Sequence, residues 1–221
     1  MMRIITGSAR GTKLAAPEGM TTRPTAERAK EAVFSSLQFG IRGRTVLDLF
    51  AGSGQMGLEA LSRGAAFAVF CDSSPEAVAV IKKNAEKTHL SDRCRIVGGD
   101  SLDFLRTSAR ALRFDIVFID PPYASGLVPK CLAALADHGL LNKDAVVICE
   151  TARGADPFGG DAALKNRFEI VKESVYGAAY VTIIKPRAGG KPGMGLLHHS
   201  RSENMGHQCR AADPDRAFRH L

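Results

Sequence analysis

The clearest signal of the fold is the segment Asp48-Leu49-Phe50-Ala51-Gly52-Ser53-Gly54-Gln55-Met56-Gly57. It continues the apolar run 45–50, and its three glycines form the pattern G-x-G-x-x-G before a segment with helical spacing. Glycines let a backbone turn tightly and approach a nucleotide-like ligand beside a helix N-terminus, because no Cβ stands in the way. Asp72 ends the next apolar run about 20 residues on, where a carboxylate can bind both hydroxyls of a ribose. The stretch therefore predicts a nucleotide-binding strand, loop and helix.

Outward from this stretch, short runs rich in Val, Ile and Phe alternate with segments at helical spacing. The apolar runs are 45–50, 67–72, 95–97, 114–120 and 145–149. Such runs are typical of strands buried on both faces, and their alternation with helices predicts a parallel sheet covered on both sides. Two further β-rich runs, 168–175 and 179–184, predict an antiparallel hairpin at the sheet edge. The pattern indicates an α/β protein with a mostly parallel seven-stranded sheet.

The ends of the chain differ from the predicted sheet in charge. Residues 1–44 contain eight basic and three acidic residues, residues 45–186 contain 16 and 17, and residues 187–221 contain six and three. The first segment predicts a small β-hairpin and then a helix over 25–37. The last segment has no core-forming pattern and is expected to be disordered. We therefore divide the chain into a basic extension (1–44), a catalytic-size domain (45–186) and a tail (187–221).

Composition excludes several classes of protein. The 221 residues are 45% hydrophobic and 24% charged, which argues against a wholly disordered or fibrous chain. No apolar run approaches the roughly 18 residues that a membrane span needs, and the first residues lack the apolar core of a signal peptide. We therefore expect a cytoplasmic protein. The five cysteines are widely spaced without a Cys-x-x-Cys pair, so neither a disulfide framework nor a metal site is expected.

The fourth apolar run leads into Asp120-Pro121-Pro122-Tyr123, at the strand end where open α/β sheets bind ligands. The prolines restrict the backbone so that the Asp120 carboxylate and the Pro121 carbonyl can converge on one point, while Tyr123 offers an aromatic face. Two acceptors for the N–H bonds of an exocyclic amine would localise its lone pair for attack on a sulfonium methyl group. The glycine loop alone leaves a dinucleotide or S-adenosylmethionine open as ligand, and this motif favours S-adenosylmethionine.

These motifs resemble those of the class I S-adenosylmethionine-dependent methyltransferases, whose amino-methylating members carry (Asn/Asp)-Pro-Pro-(Tyr/Phe) after the fourth strand. A narrower match is carried by five segments: Met2-Arg3-Ile4-Ile5-Thr6-Gly7-Ser8-Ala9-Arg10-Gly11, Thr22-Arg23-Pro24-Thr25 with Arg28 and Glu31 following, Asp48-Leu49-Phe50-Ala51-Gly52-Ser53-Gly54, Gly57-Leu58-Glu59-Ala60 and Asp120-Pro121-Pro122-Tyr123. In these segments the chain resembles, over about residues 2–186, the RsmD family of bacterial 16S ribosomal RNA guanine-N2 methyltransferases. The resemblance implies a Rossmann-like fold.

The resemblance also implies roles for the matching positions. The methionine part of S-adenosylmethionine would be lined by Asp48, Phe50, Ala51, Gly52, Ser53 and Gly54. Asp72 would bind its ribose, and Asp100 with Ser101 would meet its adenine edge. The flipped guanine would be held by Asp120, Pro121, Pro122 and Tyr123. The basic residues of the extension could bind RNA phosphates: Arg3, Arg10, Lys13, Arg23, Arg28, Lys30, Arg42 and Arg44. Of these, four are predicted as RNA-binding site residues: Arg10, Lys13, Arg23 and Arg28.

The resemblance thus implies an enzyme that methylates the N2 amine of a guanine in 16S ribosomal RNA. We expect it to act as a monomer on an assembled or assembling small ribosomal subunit. A DNA amino-methyltransferase would use the same chemistry but usually brings a sizeable target-recognition domain, and a protein-glutamine methyltransferase explains the basic extension poorly. An NAD-dependent dehydrogenase would leave Asp120 to Tyr123 without a role, and a non-enzymatic RNA-binding protein needs neither motif.

Overall fold

The computed structural model describes residues 2–18, 24–37, 40–109, 111–122 and 125–187. The predicted site residues Arg23 and Tyr123, and residues 188–221 of the predicted tail, lie outside these ranges. In chain order the elements are α1 (Pro24–Leu37), β1 (Thr45–Leu49), α2 (Gln55–Ser62), β2 (Phe67–Asp72), α3 (Pro75–Lys87), a 3-10 turn (Ser91–Arg93), β3 (Cys94–Gly98), α4 (Ser101–Arg106), β4 (Phe114–Ile119), α5 (Leu127–Asp137), β5 (Leu141–Ala152), α6 (Ala162–Lys165), β6 (Phe168–Tyr176) and β7 (Ala179–Pro186).

The seven strands form one sheet in the order β3-β2-β1-β4-β5-β7-β6. Strands β1 to β5 are parallel, whereas β7 is antiparallel to both of its neighbours, β5 and β6. The predicted mostly parallel sheet with an antiparallel C-terminal strand is confirmed. Parallel strands place their carboxyl ends at one edge of a sheet, so the loops after β1, β2, β3 and β4 lie at the same edge.

Two hydrophobic cores cover the two faces of the sheet. Along β1, Val46 belongs to the core formed with α1, α2 and α3, whereas Leu47 and Leu49 belong to the core formed with α4 and α5. This alternation follows from the two-residue period of a strand. Asp48 shares the face of Val46 and therefore points towards the side of the sheet that α1 and α2 cover.

The predicted N-terminal hairpin is reduced to a single bridge. Arg3 pairs with Lys13, and the Leu14 N–H donates to the Met2 carbonyl at 3.0 Å. Such a short pairing is marginal on its own in water, so the hairpin depends on packing against the rest of the protein.

Glu59 of α2 anchors this hairpin to the sheet domain. Its carboxylate accepts the backbone N–H of Ile5 at 2.6 Å and that of Thr6 at 3.0 Å, and Arg63 forms an ion pair with it at 2.7 Å. The backbone of Gly7 packs so closely against the end of α2 that a Cβ there would lie 1.9 Å from the Ser62 carbonyl oxygen. Glu59 is only 1% exposed. The extension is therefore docked on α2 by a buried carboxylate.

Strand β5 is longer than the predicted run 145–149. It begins at Leu141, and its early residues Lys143 and Asp144 are exposed. These polar residues conceal the start of the strand from a hydrophobicity pattern. Within the described part of the chain, no helix combines the length and the apolar character needed to cross a membrane.

Candidate active site

The glycine loop after β1 is braced by Asp72, the last residue of β2. The loop contains Gly52 at φ 55° and Gly54 at φ 74°, in the left-handed region that favours glycine. The Gly52 N–H donates to Asp72 Oδ2 at 2.8 Å, and the Ser74 N–H donates to Asp72 Oδ1 at 2.9 Å. A carboxylate oxygen has a second lone pair, so Asp72 retains acceptor capacity for ligand hydroxyls.

The remaining loop positions are enclosed by the protein. Ala51, Gly52, Ser53 and Gly54 are buried and Phe50 is half-buried. The side chain of Asn84 donates to the Ser53 carbonyl at 2.9 Å, which ties the loop to α3. The loop therefore presents backbone rather than large side chains to the sheet edge, as a close nucleotide contact requires.

Asp48 is a buried carboxylate beneath the loop. It is 4% exposed, and its Oδ2 accepts the backbone N–H of Gly57 at 2.9 Å. Burial raises the pKa of Asp48 to about 7, while the Gly57 hydrogen bond and the charge of Lys30 act in the opposite direction. A buried acid with a pKa near neutrality is typical of a functional site.

Asp120 follows β4 at the same edge. Leu49 of β1 pairs in register with Ile119 of β4, and Ile119 pairs with Cys149 of β5. Asp120 therefore stands between the glycine loop on one side and Glu150 on the other. Its side chain is exposed at the mouth of the site, whereas Pro121 is buried and Pro122 is exposed.

The surroundings of Asp120 raise its pKa. Partial loss of hydration in the concave site is the main cause, the charge of Glu150 adds to it, and the Lys30 ammonium opposes both. The shift favours a carboxyl group that can take up a proton near neutral pH.

Lys30 of α1, expected only among the basic residues for RNA phosphates, lies beside the two site acids Asp48 and Asp120. It is half-buried, and its Nζ donates to Gln55 Oε1 at 2.6 Å. Its charge opposes the rise in the pKa of both Asp48 and Asp120, and it lines one small pocket together with Asp120. In the sequence Lys30 is one of several charged residues of an amphipathic helix, so the direction in which its side chain points could not be predicted.

Asp100 lies at the same edge and caps α4. Its Oδ1 accepts the N–H groups of Leu102 at 2.8 Å and Asp103 at 2.9 Å. The preceding Gly99 donates its N–H to the Asp72 carbonyl at 3.0 Å, which places Asp100 beside the ribose candidate. Asp100 is exposed, and Ser101 is buried.

The described RNA-binding candidates are all exposed. Arg10 and Lys13 lie in the N-terminal hairpin, and Arg28 lies in α1. Among the residues the structure describes, no cluster of three or more His, Cys, Asp or Glu residues could hold a metal ion.

The residues at this edge fit S-adenosylmethionine. A loop without bulky side chains, two acids at the ends of β1 and β2 and a third acid after β3 meet the needs of an amino acid, a ribose and an adenine. The left-handed Gly54 admits no side chain, since a Cβ there would lie 3.1 Å from Ile81 Cγ2 in the core, so this turn of the loop needs a glycine.

Comparisons with known proteins agree with this architecture. The ribosomal RNA small subunit methyltransferase D of Haemophilus influenzae is 35% identical over 153 residues, which are 69% of this chain and 79% of that protein. The solved structure of the Escherichia coli protein yhhF superposes with a TM-score of 0.73 at 32% identity. The match covers 85% of this chain and 98% of the yhhF chain. A ribosomal protein L11 methylase from Lactobacillus delbrueckii subsp. bulgaricus, 20% identical, shares the fold with a TM-score of 0.64 over 80% of this chain and 86% of its own.

A family model described as Conserved hypothetical protein 95 matches residues 2–185. The match spans the N-terminal hairpin, the glycine loop and the Asp120 segment together. The fold is that of the class I methyltransferases. The chain therefore belongs to the RsmD family, which this model describes.

Proposed function

We propose that this protein transfers a methyl group from S-adenosylmethionine to the exocyclic N2 amine of a guanine in 16S ribosomal RNA. The observation that carries the proposal is the placement of Asp120 and Pro121 after β4, directly beside β1 and its glycine loop. The acceptors for an amine and the candidate cofactor cradle thus stand at adjacent strand ends.

S-adenosylmethionine supplies, when bound, an electrophilic methyl group on a positively charged sulfur. The chain's own residues bind and orient it. Ionised Asp48 complements the ammonium group of the methionine part, and the spare lone pairs of Asp72 accept the ribose hydroxyls. Asp100 lies next to Asp72 on the side where the adenine would extend.

Asp120 and the Pro121 carbonyl orient the amine of the target guanine. By accepting its two N–H bonds they turn the nitrogen lone pair out of conjugation with the ring. The lone pair freed in this way would face the methyl group that bound S-adenosylmethionine would supply, with its sulfur as the leaving group. The proton released from nitrogen passes to Asp120 or to water, and the raised pKa of Asp120 favours the carboxylate as its acceptor. Tyr123 is proposed to stack on the base.

The substrate proposal has separate support. The Haemophilus influenzae relative is named for the RNA of the small ribosomal subunit. The basic extension 1–44, proposed as the RNA-contacting part, presents Arg10, Lys13 and Arg28 to solvent, where they can meet phosphates. We propose the small ribosomal subunit, assembled or assembling, as the context of the reaction, with the enzyme acting as a monomer in the cytoplasm.

Incorporation of labelled methyl groups from S-adenosylmethionine tests the proposal. Four substrates are compared: small-subunit particles lacking the modification, naked 16S RNA, duplex DNA and a bulk protein extract. Label recovered as N2-methylguanosine from the ribosomal samples is the expected result. Label in DNA or in glutamine side chains of protein would overturn the RNA substrate, and label in none of the four would overturn the activity.

A further inference from the structure

A basic pocket lies between the N-terminal hairpin, α1 and the start of α2. Its volume is about 260 Å³, and its charged lining consists of Arg3, Arg10, Lys30 and the acidic Glu31. Three basic side chains against one acidic side chain give the lining a formal charge of +2. The pocket is therefore suited to an anion.

Gln55 builds the floor of this pocket. It is 6% exposed, its Nε2 donates to the Arg3 carbonyl at 3.3 Å, and its Oε1 accepts from Lys30 Nζ at 2.6 Å. One buried amide thus joins the hairpin to α1. Because an ammonium group has three N–H donors, the Lys30 bond to Gln55 leaves two that can serve a ligand.

The pocket is held in place before any ligand binds. The two hydrogen bonds from Ile5 and Thr6 to the buried Glu59 fix the hairpin strand that carries Arg3. A site with its charged groups already positioned spends less of its binding energy on ordering them.

Lys30 lines both this pocket and the smaller pocket that contains Asp120. The two pockets are therefore neighbours that share one wall. A nucleotide whose base reaches Asp120 would carry its backbone past Lys30 towards Arg3 and Arg10.

We infer that the basic pocket binds a backbone phosphate of the substrate RNA directly flanking the target guanine. The inference rests on the RNA substrate proposed above and specifies where that RNA is gripped. Arginine side chains suit this ligand because their planar N–H groups match the oxygens of a phosphate. Because Lys30 also lies beside Asp120, its ion pair with the phosphate would link correct placement of the RNA backbone to the site that holds the guanine amine.

The first test is the salt dependence of RNA binding. Arg3→Gln and Arg10→Gln each remove one charge from the pocket, and the double variant Lys82→Gln/Lys83→Gln removes two exposed charges from α3 as a control. Binding of naked 16S RNA is measured from about 50 to about 400 mM KCl, a range over which phosphate contacts weaken strongly. Each pocket variant is expected to bind about tenfold more weakly at low salt and to lose about 0.7–0.9 from the log–log slope.

The second test places the phosphate. A short RNA spanning the target carries a single uncharged methylphosphonate linkage, moved one position at a time across the nucleotides around the guanine. Wild type should lose affinity most at a linkage flanking the guanine, and Arg10→Gln should lose less there, because one of the three basic side chains that face the phosphate is already gone.

Several outcomes would overturn the inference. They are an unchanged salt slope in both pocket variants, a slope change equal to that of the control, and a methylphosphonate effect remote from the guanine. A further contradicting outcome concerns free phosphates. If guanosine monophosphate or inorganic phosphate bound to wild type but not to Arg10→Gln, while both proteins bound RNA equally well, the pocket would be a site for a free phosphate. Loss of RNA binding in the pocket variants without any methyl transfer by wild type would support the pocket and overturn the proposed activity.

Discussion

The Asp48 carboxylate accepts the backbone N–H of Gly57 at 2.9 Å, so the end of β1 is bonded to the first turn of α2. The bond sets the position of the helix that begins directly after the glycine loop. With the helix in this position, the ring of Phe70 occupies the space that a side chain at residue 57 would need. This explains why the motif has a glycine there, although Gly57 has no left-handed φ.

Gly57→Ala should therefore destabilise the protein. The new Cβ would lie 2.3 Å from Phe70 Cε1, so strand and helix must move apart. Overpacking of this kind costs about 1–3 kcal/mol, measured as a lower free energy of unfolding in urea. Gly98→Ala is the matched control, because its Cβ would make an ordinary 3.5 Å contact with Val78. Equal stability of both variants would contradict the packing argument, and Phe70→Leu should partly rescue Gly57→Ala.

Stability without cofactor should fall as the pH rises from about 4 to about 7, through the contribution of Asp48. Its pKa is raised from 3.8 to about 7 in the folded protein, so in this range the folded state holds a proton that the unfolded state has lost. The contribution reaches at most about 1.4 kcal/mol per pH unit and becomes constant above the folded pKa.

Asp48→Asn removes this titration. Its free energy of unfolding, measured by urea denaturation at several pH values, should rise relative to wild type between pH 5 and 8. Asp144→Asn, at the exposed start of β5, controls for the change in net charge. A constant difference between Asp48→Asn and wild type across this range would show that Asp48 is ionised throughout.

Asp120→Ala should abolish methyl transfer while S-adenosylmethionine binds within a few-fold of wild type. Removal of one preorganised polar group at a reacting centre typically costs a factor of about 100–1000 in turnover. Asp120→Asn should retain part of the activity, because its carbonyl oxygen can still accept an N–H bond. Turnover is followed with labelled cofactor, and binding by calorimetry. Loss of cofactor binding in Asp120→Ala would mean that Asp120 belongs to the cofactor site.

Glu59→Ala should release the N-terminal hairpin. The N–H groups of half-buried Ile5 and exposed Thr6 lose their acceptor, and the loss of two hydrogen bonds to a charged group costs about 1–3 kcal/mol. Amide exchange at both residues should become faster, and 16S RNA binding should weaken as the basic pocket loses a wall. Glu86→Ala, at an exposed position of α3, should leave both measurements unchanged. Slow exchange at Ile5 in Glu59→Ala would rule out the proposed anchoring.

The sheet and the edge that carries the site could be predicted because their signals are local. Buried parallel strands form continuous apolar runs, and the loop and Asp120 segments lie directly behind two of them. The contact between Lys30 and Gln55 could not be predicted in this way. Their hydrogen bond joins residues 25 positions apart, and only the packing of α1 over the sheet brings them together.

Glu59 was concealed for a related reason. Its partners Ile5 and Thr6 are more than 50 residues away, and a glutamate in a helix normally faces solvent. One signal was present in the sequence: Glu59 is the one charged residue of Gln55–Ser62, which therefore has almost no polar face, and the structure buries seven of these eight residues. An acid on such a helix needs a buried partner.

The order of the strands has a consequence for synthesis of the protein. The last strand, β7, lies inside the sheet between β5 and β6. Before β7 is synthesised, β6 therefore has no partner strand and β5 is paired only with β4. Until then β5 is an open edge with unpaired backbone groups, which invites pairing with other nascent chains. A truncated polypeptide that is released from the ribosome before β7 is synthesised would therefore be an incompletely folded, aggregation-prone fragment rather than a smaller folded protein.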